Sequence, residues 1–358
     1  MTEPFRLLDI PPIDSSDDRQ HGWKYEALHR LITADQMATH GRADEIPSVR
    51  KLIATRANQV YQKQHWVLAV QGPEVGWASV ILPIAEDRDK AQLGVCVDPA
   101  RRRQGIGSAL LAWGEDLIAK SGRTLVFAEI TYGAGDDHEP YMETSQAAKV
   151  PLMSESVSFP LKRGYEVTHA QRRSVLDVPM DPRLFAQLMA DTARYRSGYR
   201  LHTWFCEIPR QWKDSFAQLK EDFCRDAPQG TIPLDHQTWN HERINQMVRE
   251  TLDAGNVFLM TAVEHEATGE LVGFTELRWP AEPDEAAEQW FTIVSGKHRG
   301  HRLGMWVKLA NAAELVGRCP GIRRIHTDNA QENAHMLGIN IAMGFRPDGG
   351  IALMAKRL

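Results

Sequence analysis

The sequence predicts an α/β chain with mixed (α+β) sheets, built as two consecutive domains of one design. Three observations carry that expectation: a length of 358 residues, strands that feed amphipathic helices, and a stretch of chain that recurs 197 residues later. The length is too great for one ordinary core and fits two domains of about 150–200 residues. VGWASV (Val75 to Val80) falls on VGFTEL (Val272 to Leu277). At the same spacing Val95 to Leu111 falls on Thr292 to Lys308, and Leu125 to Ile130 on Ile322 to Thr327. Further on, KRGY around Gly164 matches MGF around Gly344 at a spacing of 180, so the first half carries about 17 extra residues. The polar run Tyr132 to Ser158 is the natural place for that surface insertion. The expected boundaries are 1–178 for the first domain, 179–198 for a linker helix and 199–358 for the second domain.

The elements follow in order. FRLLD at Phe5 and YRLHT at Tyr199 open the two halves. WVLAV (Trp66 to Val70) and VGWASVIL flank QGPE, and FLMTAV (Phe258 to Val263) and ELVGFTELRW flank EHEATG; both read as β-hairpins. IGSALLAWGEDLIAK places Ile106, Leu110, Leu111, Leu117 and Ile118 at helical spacing, and its counterpart runs from Leu303 to about Val316. DPRLFAQLMADTARYRSG, from Asp181, reads as the linker helix. Strands that lead into helices and return beside them form an α/β sheet.

Composition narrows the function. Hydrophobic content of 42% and charged content of 25% are average for a globular protein. A net charge of −5 gives no electrostatic reason to expect nucleic acid or a membrane surface as partner. Cys96, Cys206, Cys224 and Cys319 lie far apart with no CxxC pair, so neither a metal site nor a disulfide framework is expected. The N-terminal stretch lacks the charged and apolar regions of a secretion signal, and no apolar run is long enough to span a membrane. A cytoplasmic protein is expected.

The chemistry is concentrated in one loop. Arg102-Arg103-Gln104-Gly105-Ile106-Gly107 follows the strand LGVCV and opens a helix, with Ser108 in its first turn. Glycines let the backbone approach a ligand, and successive N–H groups at a helix start make an anion site. Arg101, Arg102 and Arg103 add positive charge, and a diphosphate is the guest that suits this pattern. The loop lacks the lysine of a P-loop, and it follows a mid-domain strand rather than the first strand of a dinucleotide fold.

VCVDPARRRQGIGSALL resembles the acetyl-CoA signature of the GNAT superfamily, and KRGY and MGF resemble its late helix-to-strand junction. The likeness covers nearly the whole chain as a tandem pair. It implies two GNAT-like acyl-CoA N-acyltransferase domains, acetyl-CoA as cosubstrate and no metal. By the same resemblance Val95 and Val97 would meet the pantetheine arm, and the loop Arg102, Arg103, Gln104, Gly105, Ile106, Gly107 and Ser108 would hold the diphosphate. In the second half Ile293 and Val294 would meet pantetheine, and Arg299, Gly300, His301, Arg302, Leu303 and Gly304 would hold phosphate. Asn329 and Asn333 stand where family asparagines contact the cofactor arm. Arg302 replaces the signature's first glycine, whereas the late segment TDNAQENAHMLGINIAMGF is nearer the family than its N-terminal counterpart. Which half is catalytic stays open, with the late segment favouring the second.

In that superfamily an amine attacks the thioester directly, so no nucleophilic cysteine is needed and Cys96 reads as a small buried residue. The tyrosine that many members use as acid is replaced by Pro160 and Asn340. Glu276, on the hairpin strand, is the candidate base. His326, matched by Glu129 in the first half, could shuttle a proton, although a surface strand histidine is the plainer reading. Trp279 and Trp290 could wall an amine cleft. The expected reaction is acetyl transfer to a primary amine of a small molecule. An acyl-CoA-binding sensor without turnover and an aminoacyl-tRNA-dependent transferase are the competing readings. Acceptor, acyl length and oligomeric state are set by no motif.

Overall fold

A computed structural model of the chain describes residues 5–135, 140–144, 149–226, 235–282 and 285–358. The chain divides into two units. The first gathers the described residues of Met1–Ala170, Gly230–Asp235 and Gly349–Leu358, the second those of Gln171–Gln229 and His236–Asp348.

The first half of the chain forms β1 (Arg6–Asp9), α1 (Gly22–His40), α2 (Val49–Ala57), β2 (Gln62–Val70), β3 (Glu74–Pro83), β4 (Lys90–Val97), α3 (Ile106–Lys120), β5 (Leu125–Tyr132), β6 (Tyr141–Glu143), β7 (Lys149–Pro151), α4 (Glu155–Leu161) and β8 (Glu166–Asp177). The second half forms α5 (Pro182–Ala193), β9 (Tyr199–Phe205), α6 (Lys213–Asp226), α7 (His241–Asp253), β10 (Asn256–His265), β11 (Glu270–Pro280), β12 (Ala286–Val294), α8 (Leu303–Arg318), β13 (Arg324–Ala330), α9 (Ala334–Met343) and β14 (Arg346–Arg357). Helix starts follow local chemistry. The Ser48, Asp181 and Asn240 side chains accept N–H bonds from the first turns of α2, α5 and α7, which satisfies donors that a helix start leaves open.

In the first unit the strand order is β1-β2-β3-β4-β5-β14, and in the second it is β9-β10-β11-β12-β13-β8. Neighbours are antiparallel except β4 with β5 and β12 with β13, which run parallel. Both expected hairpins form, as β2–β3 and β10–β11. Each sheet is closed by the strand that belongs, in sequence order, to the other half. β14 pairs along β5 from Gly350↔Tyr132 to Arg357↔Leu125, and β8 pairs along β13 from Gln171↔Ala330 to Asp177↔Arg324. The expected boundaries at 178 and 199 follow the order of the chain; the compact units follow this exchange, because a strand's pattern states which face is buried but not which edge it joins. The expected linker helix is α5, which falls in the second unit.

Helices cover both faces of each sheet. In the first unit α1 and α2 bury Tyr25, Leu28 and Leu52 against Trp66 and Leu68, and α3 buries Ile106 and Leu110 against Val75 and Ala78. In the second, α6 and α7 bury Phe216, Leu219 and Ile244 against Phe258 and Phe274, and α8 buries Leu309, Ala312 and Leu315 against Leu259 and Leu277. The expected insertion Tyr132 to Ser158 holds the hairpin β6–β7, where Tyr132 donates to the Lys149 carbonyl at 3.3 Å; residues 136–139 and 145–148 lie outside the described residues.

Candidate active site

The site of the first unit begins where two strands part. β4 and β5 pair only through Lys90↔Leu125, Ala91↔Val126 and Gln92↔Phe127. Past that point β4 stays on β3 and β5 stays on β14. The edges of β4 and β5 that face each other therefore carry backbone N–H and C=O groups with no strand partner across the gap, ready to pair with an extended ligand. The opening is a cavity of about 490 Å³. Leu93, Val95, Cys96 and Val97 line it from β4, and Ala128, Glu129, Ile130 and Thr131 from β5.

The glycine-rich loop stands at the mouth. Asp98 accepts from the Ala100 N–H at 2.9 Å and folds a tight turn over Pro99–Arg101. Arg103 and Gly105 then take left-handed φ values of 64° and 87°, which swing the chain into α3. Glycine adopts that conformation freely, whereas a side chain there costs about 1–2 kcal/mol. Among the described residues no side chain caps α3, so its first N–H groups are open to an anion. Gly107 is closely packed: an added Cβ would lie 3.3 Å from the Phe159 ring and 3.5 Å from Val97. Of the residues expected from sequence in this half, Val95, Val97, Arg102, Arg103, Gly105, Ile106, Gly107 and Ser108 all line the cavity, and Gln104 does not.

Side chains from distant segments complete it. Arg102 is tied to Asp35 of α1 at 2.5 Å and lies 3.6 Å from Glu155. Burial pushes the Asp35 pKa up against the opposing pull of Arg102. Arg163 donates to the Ser108 hydroxyl at 2.6 Å and stacks 3.8 Å over the Phe159 ring. Water reaches Glu129, yet the cleft walls crowd its carboxyl, and desolvation raises its pKa above the ordinary value. Burial pushes the Cys96 thiol up, so it stays protonated and is no nucleophile. Tyr165 donates to Glu115 at 3.0 Å, and burial together with that carboxylate pushes its phenol pKa up. Asp35, Glu155 and Arg163 were invisible in the sequence because only the fold brings them to the loop; the repeat marked Glu129 only as the match of His326, and the parting of β4 and β5 gives it its place in the cavity.

The second unit repeats the plan with other residues. β12 and β13 part after Gln289↔Thr327. A bulge places Trp290 and Phe291 opposite the single residue Glu276, held by Gln289, which donates to the Glu276 carbonyl at 2.7 Å and to Thr275 at 2.9 Å. β4 shows no such bulge against β3. In the loop, Gly300 and Arg302 take φ values of 83° and 50°. Arg299 donates to the Val294 carbonyl at 3.1 Å and pairs with Asp226 at 2.5 Å, and Arg302 lies 3.9 Å from Asp191. His301 turns its Nδ1 to the Arg299 carbonyl at 3.1 Å. Leu303 is buried, Ile293 packs into the α6 core, Val294 sits beside Leu303, and an added Cβ on Gly304 would touch Ile339 at 3.4 Å. Asn333 caps α9 through the Met336 N–H, and Asn329 accepts from Asn340 at 2.5 Å. Ile293 to Gly304 lie along β12, the loop and the start of α8, whereas Asn329 lies on β13 and Asn333 at the start of α9.

The two candidate catalytic groups differ from expectation. Glu276 is 1% exposed; one oxygen is ion-paired with Arg278, and the other has no hydrogen-bond partner among the described residues. Lys220 of α6 lies nearby, 3.4 Å over the Phe291 ring, and burial lowers its pKa to about 8 against the pull of Glu276. His326 is also 1% exposed, not a surface residue, and faces Asp348 at 3.6 Å, which Arg173 also approaches at 3.6 Å. Both groups are sealed from solvent, because their strands are covered on the face to which they point. Nor do the two tryptophans wall one cleft: Trp279 is buried against Phe205, and Trp290 is exposed under Arg278.

Residues 61–138 match the family model for an acetyltransferase (GNAT) domain. That span holds the parted strands and the loop. The whole chain superimposes on a tandem GNAT protein from the clavulanic acid biosynthesis pathway, with a TM-score of 0.74 and 22% identity over 99% of this chain and 98% of that one. The chain has a tandem GNAT fold. A GCN5-related N-acetyltransferase from Sphaerobacter thermophilus gives a TM-score of 0.63 at 16% identity, covering 99% and 97% of the two chains. A glucosamine N-acetyltransferase region of a fungal multi-domain β-N-acetylglucosaminidase gives 0.59 at 12% identity, over 99% of this chain and 38% of that one. No curated protein sequence matches. Among the described residues of this GNAT pair no cluster of His, Cys, Asp and Glu could hold a metal ion, and no helix is long and apolar enough to cross a membrane.

Proposed function

We propose that the protein is an acyl-CoA-dependent N-acyltransferase that moves an acetyl group from acetyl-CoA to a primary amine of a small molecule, with the first unit holding the coenzyme. The observation that carries this reading is the cavity between β4 and β5, with the uncapped start of α3 and its arginines at one end. These residues fit the coenzyme: N–H groups of Ile106, Gly107 and Ser108 suit a diphosphate, the free edge of β4 suits the pantetheine amides, and Gly107 leaves the room that a side chain would take. Acetyl-CoA supplies an activated thioester carbonyl. Glu129, with a raised pKa inside the same cavity, accepts the proton of the attacking amine. A carboxyl poised nearer neutrality is a better base for an ammonium than an ordinary surface carboxylate. Cys96 is protonated and takes no part, which suits direct attack without an acyl-enzyme. A fold relative described as acting on glucosamine supports an amine acceptor for this fold.

Titration calorimetry with acetyl-CoA, followed by thiol release with a panel of primary amines, tests the reading. The wild-type chain binds and turns over. Gly107→Val, whose branches would press Phe159 and Val97 into the cavity, weakens binding by about 100-fold, the equivalent of roughly 2.7 kcal/mol. A wild-type protein with no affinity for any CoA species would refute it.

A further inference from the structure

Two buried residues of the second unit, Lys308 and Asn340, carry a polar atom with no hydrogen-bond partner among the described residues, and both hold positions that line the cavity in the first unit. Lys308, on α8, is 2% exposed. Among the described residues its Nζ makes no hydrogen bond and no ion pair; its one polar or ring contact is the face of Phe345, 5.2 Å from the ring centroid. The 197-residue spacing matches Lys308 to Leu111, which lines the first cavity. The second group is the Asn340 carbonyl oxygen, on α9, in a residue 1% exposed. The later spacing of 180 matches Asn340 to Pro160, which also lines the first cavity. Both residues pack at the junction of α9 and β14: Phe345, under the Lys308 amine, donates its N–H to the Asn340 main-chain carbonyl at 3.0 Å.

The same stripe of helix faces the same gap in both units. Gly107 sits against Val97 and Phe159, and Gly304 sits against Val294 and Ile339. Lys308 is one turn further along that face, at the i+4 position. The gap is present, because β12 runs on to Val294 and β13 to Ala330 after their pairing ends at Gln289↔Thr327. A buried ammonium with no counter-charge is strained toward its neutral form, and burial alone brings the Lys308 pKa down to about 7. A neutral lysine amine is a nucleophile.

We propose that Lys308 is an acyl-acceptor site: its amine takes the acyl group of an acyl-CoA held in the second unit, so that this unit modifies itself. The inference rests on the acyl-CoA reading above. Lys308 Nζ forms a bond to the thioester carbonyl carbon, the carbon–sulfur bond breaks, and the proton shed by the nitrogen passes to the departing thiolate. The products are an Nε-acyl-lysine and CoA thiol. Asn340 Oδ1 accepts a hydrogen bond from an amide N–H of the pantetheine arm, which satisfies the second orphan. The amide formed is stable to water, so the site is filled once rather than turned over.

The experiment incubates the full chain with acetyl-CoA, with CoA alone and with acetyl phosphate, then maps acetylated lysines by peptide mass spectrometry. Acetyl-CoA binding is followed in parallel by calorimetry. The expected result is close to one acetyl group per chain on Lys308 with acetyl-CoA, none with CoA, and little with acetyl phosphate. The labelling rate rises through a midpoint near pH 7 rather than near the ordinary lysine value of about 10.4. Lys308→Arg and Lys308→Leu remove that label and leave slow labelling of exposed lysines such as Lys120 unchanged. Binding without acetyl on Lys308, or Lys120 labelled faster than Lys308, overturns the proposal while the acyl-CoA reading stands. Absence of both binding and label overturns the two together.

Discussion

The two strand-to-helix loops reach one backbone path with opposite choices of residue. In the first unit the left-handed positions are Arg103 and Gly105; in the second, at the matched places, they are Gly300 and Arg302. Each loop has one glycine and one arginine in a conformation that glycine prefers. The path is therefore what the fold conserves between its halves, while the residue that bears the strain has moved. What lies behind the loops differs more. The first unit opens into a cavity lined by Glu129 and Leu111; the second puts His326 and Lys308 at those positions, each at most 2% exposed. The first leaves an opening with a carboxyl in its wall. The second is arranged around buried polar groups.

Glu129→Gln makes the sharpest break in that contrast. If the first unit carries the chemistry, loss of this base lowers kcat by roughly 100-fold to 10,000-fold while acetyl-CoA affinity changes little. The pH–rate profile of the wild type sharpens the point. The Glu129 pKa is raised by desolvation, so the acid limb lies above the ordinary carboxylate value of about 4.3. The glutamine variant loses that limb. A variant with wild-type kcat moves the chemistry to the second unit and to its sealed Glu276 and His326.

Lys308→Leu comes next. It gives the second unit the residue that the first already uses at this position. Removing a buried amine without a counter-charge gains about 1–3 kcal/mol in urea unfolding at pH 7. The sign follows from linkage. The folded pKa of about 7 lies below the unfolded value, so between the two the unfolded chain binds more protons and wild-type stability rises with pH. The advantage of the leucine variant is therefore greatest below pH 7 and shrinks toward pH 10. An advantage that is constant across that range would show that packing, not charge, sets the difference.

Much of this was legible in the sequence, and the remainder failed for identifiable reasons. The ungapped repeat, the hairpins, the amphipathic α3 and the glycine-bearing loop that opens it are local patterns, and local patterns survive folding. The exchange of β8 and β14 was not legible, because each strand's alternation is satisfied by either partner edge. The bulge at Trp290 and Phe291 was hidden because the repeat keeps its spacing through it. Glu276 and His326 were chosen by residue type, and only the covering side chains reveal that both are sealed. Asp35 and Arg102 meet across 67 positions of chain, which no window of sequence displays.

The smallest effect is expected at Arg302. An L-residue in the left-handed region costs about 1–2 kcal/mol, and glycine relieves that while adding unfolded-state entropy, so Arg302→Gly gains about 1 kcal/mol or less. The side chain gives up little, since its contact with Asp191 is at 3.9 Å between half-exposed groups and such pairs contribute under about 1 kcal/mol. Urea unfolding measures the gain. The reciprocal change, Arg103→Gly, acts at the matched strained position of the first loop, and its side chain is 78% exposed. If the two loops share one backbone path, both substitutions stabilise by similar amounts. If Arg302→Gly destabilises instead, the arginine is held in the left-handed region by contacts that outweigh its strain, and the second loop is a distinct structure rather than the first with its glycine moved.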